Sequence, residues 1–225
     1  MSKISTRIIS MDSLPLGGFA GIVETQMVIN PKIMPSALSR TDISHGLGSF
    51  IYLSTGYFKP NDGAPIHPHE NVDIVTLILS GKLAHKGTLG DGTIIDALGV
   101  QVQRAGTGMQ HAELNPEDTQ AEFVQMWFLP PKNGLTPAYQ DISLKPDQLH
   151  SVLGGDNNFD NQMHCQVGVL KKDTQLIYDK PFVAFLTQGK ATINGEVVTK
   201  GDLIQGDNFN LRVIEELGLV IIQEI

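Results

Sequence analysis

Two short motifs constrain this chain more than any other feature of its sequence. One reads His-x-His, from His67 to His69, and the other reads His-x-Glu, from His111 to Glu113. Both lie close to runs rich in valine, isoleucine and phenylalanine, which predict β-strands. Alternate side chains of a strand point to one face, so the two polar residues of each motif share a face. If the two strands are neighbours, three imidazoles and one carboxylate converge on one point, which predicts a metal site.

The remainder of the N-terminal half also reads as short strands. Residues 74–79 form a largely apolar run, rich in β-branched residues, that a Ser-Gly pair ends, which predicts a buried strand. Asp91-Gly92 is a strong signal for a hairpin turn. No convincing amphipathic helix precedes residue 135. Short strands separated by turns predict an all-β fold, either a barrel or a sandwich.

An internal repeat indicates that the chain contains two such units. The segment Leu79–Lys82 recurs as Thr187–Lys190, and each copy is followed by a hairpin signal. When the glycines of the two segments are aligned, the second copy has glutamine and isoleucine where the first has His67 and His69. We therefore predict two β-barrels of one kind, of which only the first carries the metal ligands.

Composition and charge exclude several classes of function. The net charge is −8 and no clustered basic stripe is present, so direct nucleic-acid binding is not expected. The single cysteine, Cys165, cannot form an internal disulfide and fits a reducing compartment. No apolar run approaches the roughly 20 residues that span a bilayer, and no apolar segment typical of a signal peptide follows Met1–Arg7. We expect a cytoplasmic protein without a membrane partner.

The motifs are specific enough to resemble a known family. Gly63, His67-x-His69, Asp73 and Gly81 resemble the first cupin motif, and residues 106–115 resemble the second. More narrowly, HPHENVDIVTLILSGKLAHKGTLGDG (67–92), AGTGMQHAELNP (105–116) and the Gln-Met-Trp of 125–127 resemble the pirin family of bicupins. The resemblance is specific for residues 46–140, weak for 1–45 and only architectural for 141–225.

The resemblance implies the fold, the domains and the ligands. It implies two double-stranded β-helix barrels, with an N-terminal cupin domain over residues 1–135 that holds the metal site. A degenerate C-terminal cupin domain without metal ligands would follow over residues 136–225. The family's ligands fall on His67, His69, His111 and Glu113, which are the four residues that strand parity selects.

Three imidazoles and one carboxylate leave one or two positions open on a divalent ion, unlike a closed structural zinc site. Such mixed ligation suits iron(II), nickel, manganese, copper or zinc. Iron(II) is favoured, because the resemblance to pirins implies it.

The implied activity is that of a quercetin 2,3-dioxygenase, in which a flavonol-type enol is opened by oxygen. A small-molecule substrate and oxygen would then be the partners, and Glu113 would be the catalytic base. The physiological substrate is left open. An alternative is a metal- or redox-dependent regulatory protein that acts through protein contacts. A third is a zinc- or manganese-dependent isomerase or hydrolase, which rests on fold analogy alone.

For other polar and aromatic residues near the motifs, a role outside the metal site is preferred. Asp73 shares parity with His69 but lies about 13 Å farther along a strand, so a supporting role is preferred to ligation. His85 is interpreted as an exposed or structural histidine, with a position in the pocket as the alternative. Trp127 is interpreted as a core residue, again with the pocket as the alternative. Residues 98–104 depart from the pirin pattern, which has Gly-Asp and an aromatic residue there.

Overall fold

The computed structural model describes residues 6–225, and these residues form two compact all-β units. The first barrel comprises residues 15–45 and 49–143. The second barrel comprises residues 6–14, 46–48 and 144–225. Residues 1–5, which belong to the N-terminal stretch in which no signal peptide is expected, lie outside the described residues.

The described residues form strands and two short 3-10 helices, Met11–Ser13 and Pro35–Ser39. Within residues 6–225, no helix has the length and apolar character needed to cross a bilayer. The strands are β1 (Arg7–Ser10), β2 (Ile22–Ile29), β3 (Phe50–Phe58), β4 (Gly63–His69), β5 (Asp73–Ser80), β6 (Lys82–Gly87), β7 (Ile94–Asp96), β8 (Gly99–Arg104), β9 (Met109–Leu114), β10 (Ala121–Phe128), β11 (Ala138–Ser143), β12 (Gln148–Leu153), β13 (Met163–Leu170), β14 (Gln175–Tyr178), β15 (Phe182–Ile193), β16 (Glu196–Thr199), β17 (Asp202–Gly206) and β18 (Phe209–Glu224).

The first barrel consists of two antiparallel sheets. Its larger sheet has the order β11-β8-β5-β10-β3-β2, and its smaller sheet has the order β4-β9-β6-β7. Aromatic and β-branched side chains fill one part of the interior, where the rings of Phe58 and Phe123 lie 4.7 Å apart. Burying each such phenylalanine contributes about 1.5–3 kcal/mol. This apolar packing holds the smaller sheet, which carries both ligand motifs, against the larger one.

A buried ion pair joins two strands of the larger sheet. Asp73 on β5 lies opposite Arg104 on β8, and the Arg104 guanidinium donates to both carboxylate oxygens at 2.8 Å. Asp73 is fully buried and Arg104 is nearly so. The two charges therefore compensate each other in the barrel wall, where either charge without its partner would be costly.

The second barrel has an apolar interior. Its strands β1, β12, β13, β14, β15, β16, β17 and β18 belong to a single antiparallel sheet, in which β18 pairs with both β13 and β15. Fourteen buried hydrophobic residues from these strands and their connections form one cluster.

The internal repeat is also visible in the backbone, since Gly81 and Gly189 both have a positive φ, of 74° and 79° respectively. Glycine adopts this conformation without the steric cost that a side chain adds.

The ends of the two compact units differ from the predicted domains, 1–135 and 136–225. Strand β1 pairs with β17, so residues 6–14 belong to the second barrel. Strand β11 pairs with β8, so residues 136–143 belong to the first barrel. Hydrogen bonds between strands that are distant in sequence decide both cases, and periodicity along the chain carries no record of such pairing.

The ion pair gives a test of the first barrel's stability. We expect Asp73→Asn to lower the free energy of unfolding by about 3–5 kcal/mol, because it leaves the buried guanidinium without its carboxylate partner. Urea unfolding followed by the fluorescence of Trp127, the only tryptophan of the chain, reports on this barrel. Asp96→Asn is the matched control, since the Lys82–Asp96 pair is exposed and contributes at most about 1 kcal/mol. If both variants lost the same free energy of unfolding, the stabilising role of the buried Asp73–Arg104 pair would be contradicted.

Candidate metal centre

Strands β4 and β9 lie side by side and bring the two motifs together. His67 lies directly opposite His111 in the antiparallel register. Ala64 lies opposite Glu113, and a bulge between Ala64 and His67 inserts one extra residue in β4. The condition that the sequence left open, that the two strands are neighbours, is therefore met.

The three histidines of the motifs converge. The ring centroids of His67 and His111 are 4.5 Å apart, and that of His69 is 4.9 Å from each of the other two. One ring nitrogen from each histidine lies within 4.8 Å of the other two. Three imidazoles at these distances form a set that one divalent ion can bridge.

Backbone contact prepares His67 for coordination. Its Nδ1 lies 2.7 Å from the carbonyl oxygen of Pro65. A carbonyl can only accept, so Nδ1 carries the proton and donates, which leaves the lone pair of Nε2 free to bind a metal. A hydrogen bond of this kind orients many metal-binding histidines.

His111 provides the strongest structural argument that the site suits a metal ion. Its side chain is 1% exposed, and neither ring nitrogen has a hydrogen-bond partner among the described residues. Burying polar nitrogen without a partner costs several kcal/mol by order of magnitude. A metal bound to one of these nitrogens removes part of that cost, so the residues present fit a divalent ion.

Burial also keeps the imidazoles of His69 and His111 in the form that coordinates a metal. Desolvation lowers the pKa of His111 to about 2, with further contributions from the neighbouring histidines. Desolvation and the proximity of His67 lower the pKa of His69 to about 4. Both rings are therefore neutral near pH 7, and only neutral imidazole offers a lone pair to a metal.

The Glu113 carboxylate is held apart from the group of three nitrogens. It is buried, and Gln125 Nε2 donates to its two oxygens at 3.1 and 3.3 Å. Thr76 Oγ1 donates to it at 3.4 Å. Burial raises its pKa to about 7, against the effect of these two donors. Glu113 thus borders the histidines as a positioned carboxylate, and its ligation of the ion stays a prediction.

A cavity of about 320 Å³ opens beside the histidines. Its polar wall includes His67, His69 and Glu113, and its remaining wall is largely apolar and aromatic. A volume near the lower end of the range for ligand sites suits a compact organic molecule. The cavity is lined by Phe19, Ile22, Glu24, Gln26, Ile29, Ile33, Met34, Tyr52, His67, His69, Glu113, Phe123, Gln125 and Trp127.

The structure resolves the interpretations of the other residues. Asp73 pairs with Arg104 and not with the histidines, which agrees with a supporting role. His85 is not exposed: it is 1% accessible, lies within β6 opposite Glu113, and its Nε2 donates to the Leu89 carbonyl at 2.8 Å. The sequence analysis did not predict this burial. The hydrophobic pattern along the chain does not show that β6 continues for two residues beyond His85.

Trp127 lines the cavity in addition to packing against the core. Its ring centroid lies 5.4 Å from that of His69 and 4.7 Å from that of Tyr52. Both interpretations of Trp127, as a core residue and as a pocket residue, therefore hold. Its indole Nε1 also donates to Gln125 Oε1 at 3.1 Å, which positions the amide that holds Glu113.

The sequence analysis missed Glu24, Gln26 and Tyr52, which form part of the same cavity wall. A signal did exist, since Glu24 and Gln26 occupy alternate positions of the otherwise mostly apolar strand β2. Such parity places both side chains on one face.

The segment that departs from the pirin pattern forms β8. Gln103 Nε2 donates to Gln101 Oε1 at 2.5 Å, and Gln101 Nε2 donates to the Tyr139 hydroxyl at 2.9 Å. Both glutamines are buried. Buried amides therefore occupy this part of the barrel, in place of the family's acidic and aromatic residues.

Comparison with known proteins identifies related sequences. The family model described as Pirin matches residues 39–128. A quercetin 2,3-dioxygenase of Escherichia coli K12 is 26% identical over 172 residues, which cover 70% of this chain and 73% of the relative. A pirin-like protein of Caulobacter vibrioides is 38% identical over 80 residues, which cover 36% of this chain and 34% of the relative.

A solved structure extends the likeness to the whole fold. The crystal structure of the bacterial pirin YhhW from Escherichia coli, in complex with nickel(II), superposes with a TM-score of 0.83 and 19% identity. The match covers 98% of this chain and 99% of the other. At this level of identity the likeness shows a shared fold, two cupin-type barrels in one chain.

The histidine group predicts the metal affinity of the protein. We expect the wild type to bind one equivalent of iron(II) or nickel(II) under anaerobic conditions. Replacing His67, His69 or His111 by alanine should weaken binding at least about 100-fold, because the loss of a direct ligand costs more than the 10–100-fold typical of outer partners. Isothermal titration calorimetry measures this affinity. His150→Ala, in the second barrel, is the control and should bind like the wild type; unchanged binding in any of the three variants would refute the site.

Proposed function

This chain belongs to the pirin family of cupins, and we propose that it is a metal-dependent dioxygenase of the quercetin 2,3-dioxygenase type. The observation that carries the proposal is the convergence of three imidazoles at the edge of a cavity. A site that only stabilised the fold would be closed, whereas this one adjoins space for a ligand. The relative named quercetin 2,3-dioxygenase supports the reaction type.

We propose iron(II) as the ion, because the resemblance to pirins favours it. His67, His69 and His111 would hold it, and Glu113 would be its fourth ligand or its neighbour. When bound, a divalent iron supplies a Lewis acid for an enolic oxygen and a redox partner for dioxygen.

The chain's own residues orient the substrate and exclude water. The aromatic and aliphatic wall of the cavity, which includes Phe19, Phe123 and Trp127, suits a flat ring system. A ligand whose enol points to the histidines has its rings against this wall. Displacement of water strengthens the polar contacts inside the cavity.

Glu113 is the group that we propose accepts the proton of the enol. Its carboxylate lines the cavity together with His67 and His69, and Gln125 and Thr76 fix its position. A base within reach of the reacting hydroxyl is the first geometric requirement for general base catalysis. Removal of this proton makes the enolate, which is the form of the substrate that reacts with oxygen.

The proposed reaction is balanced by dioxygen alone. Two carbon–carbon bonds of the flavonol break, on either side of the carbon that carries the 3-hydroxyl. One atom of dioxygen joins each of the two flanking carbons, which become an ester and a carboxyl group. The carbon between them leaves with its own oxygen as carbon monoxide, and the proton taken by Glu113 returns to the product carboxyl group.

This function is tested by reconstituting the protein with iron(II) without oxygen and then adding quercetin and oxygen. We expect loss of the flavonol absorbance and release of one carbon monoxide per quercetin. His67→Ala should abolish turnover because it removes a ligand, and Glu113→Gln should lower kcat at least about 100-fold because it removes the base. A parallel nickel(II) sample tests the choice of metal.

Glu215→Gln is the control, since it changes an exposed carboxylate of the second barrel and should leave turnover unchanged. Full turnover in Glu113→Gln would exclude the assigned base. The absence of carbon monoxide from wild-type protein loaded with either metal would overturn the proposed activity.

A further inference from the structure

A second carboxylate borders the cavity. Glu24 on β2 is half-buried and lines the same space as His67 and His69. Tyr52 Oη donates to Glu24 Oε1 at 3.0 Å, and Gln26 Nε2 donates to the same oxygen at 3.0 Å. Both of these bonds end on Oε1. The other oxygen, Oε2, therefore retains acceptor capacity toward a ligand in the cavity.

The Glu24 carboxylate is fixed rather than mobile. Gln26 Nε2 also contacts the Tyr52 hydroxyl at 3.2 Å, so the three side chains form one connected group. Burial raises the pKa of Tyr52 well above its ordinary value, with the negative charge of Glu24 as a further cause. Tyr52 thus remains a donor, and Glu24 is the acceptor of the group. Its position is set before a ligand arrives, which lowers the cost of binding.

An aromatic wall connects this group to the histidines. His69 and Trp127 have ring centroids 5.4 Å apart, and Trp127 and Tyr52 have centroids 4.7 Å apart. A flat ligand can therefore lie along Trp127 with one end at the histidines and the other end at Glu24. The two ends would meet different chemistry: the metal-binding lone pairs of the histidines beside Glu113 at one end, and the Glu24 carboxylate held by Tyr52 and Gln26 at the other.

We propose that Glu24 determines specificity by accepting a hydrogen bond from an uncharged hydroxyl group at the end of the ligand that lies away from the histidines. The ligand class is a planar aromatic enol with a phenolic hydroxyl at its far end. A carboxylate at that end is rejected, because it would meet a fixed negative charge and could not donate. The inference rests on the proposed function for the placement of the enol at the histidines.

The test uses the fluorescence of Trp127, which is the only tryptophan of the chain and lines the cavity. Iron-loaded protein is titrated without oxygen with three flavonols that differ only at the 4′ position of the pendant ring: hydrogen, hydroxyl or carboxylate. We expect the wild type to bind the hydroxyl compound roughly 10–100-fold tighter than the hydrogen compound, which is the range for a hydrogen bond to a charged group. The carboxylate compound should bind weakest of the three.

Glu24→Gln should change this order in two directions at once. The preference for hydroxyl over hydrogen should fall to less than about threefold, because the acceptor loses its charge. The carboxylate compound should bind more tightly than it does to the wild type, because the amide can donate to it. Asp96→Asn, an exposed change in the same barrel, is the control and should keep the wild-type order.

Each outcome decides the proposal. Equal affinity of the wild type for the hydroxyl and hydrogen compounds would overturn it, whether or not the variant folds. A wild-type order in Glu24→Gln with normal near-ultraviolet circular dichroism would also overturn it. Carbon monoxide release, measured separately after oxygen is added, distinguishes this failure from failure of the proposed dioxygenase activity. A protein can show the expected order of binding without turnover, or turnover without that order.

Discussion

The candidate site depends on one pairing, that of β4 with β9. Their antiparallel register sets His67 opposite His111, and the period of two within β4 adds His69 on the same face. A shift of β4 or β9 by one residue in this register would turn the motif side chains of that strand to the opposite face of the sheet. The smaller sheet therefore sets the geometry of the histidine group, while the larger sheet supplies the carboxylate's partners, Thr76 and Gln125.

The two barrels use one architecture with different interiors. In the second, leucine, isoleucine, valine and phenylalanine side chains fill the inside, which gains the full free energy of apolar burial. In the first, apolar clusters are accompanied by His111 and Glu113, which are buried as well. Burying such groups opposes folding unless they find partners. The first barrel thus exchanges some packing free energy for a polar cavity, which is the general condition for binding or catalysis.

The alternation of side chains along a strand predicted that the histidines of each motif point to one face. This alternation is a local property, so residues two positions apart reveal it. The same reasoning predicts Glu113 in the metal shell, and this stays a prediction. Its contacts with Thr76 and Gln125 exist only in the folded barrel. Glu24 and Tyr52 were missed for a related reason. They lie on neighbouring strands, 28 positions apart in sequence, and their meeting is a consequence of the register of β2 and β3. The ends of the compact units also depend on contacts between residues distant in sequence, since β1 and β11 are assigned by long-range pairing.

The position of Glu113 bears on how one carboxylate can serve both a metal and a proton transfer. A carboxylate bound firmly to an ion has little basicity left, because the cation stabilises its ionised form. Here Gln125 contacts both oxygens, and Trp127 in turn holds the Gln125 amide. The carboxylate therefore has an anchor that does not depend on the ion, at a point where it borders both the histidines and the cavity. Trp127 also packs against the ring of Tyr52, the donor to Glu24. One tryptophan thus links the positions of both cavity carboxylates, and a ligand that displaces its ring would act on the two of them together.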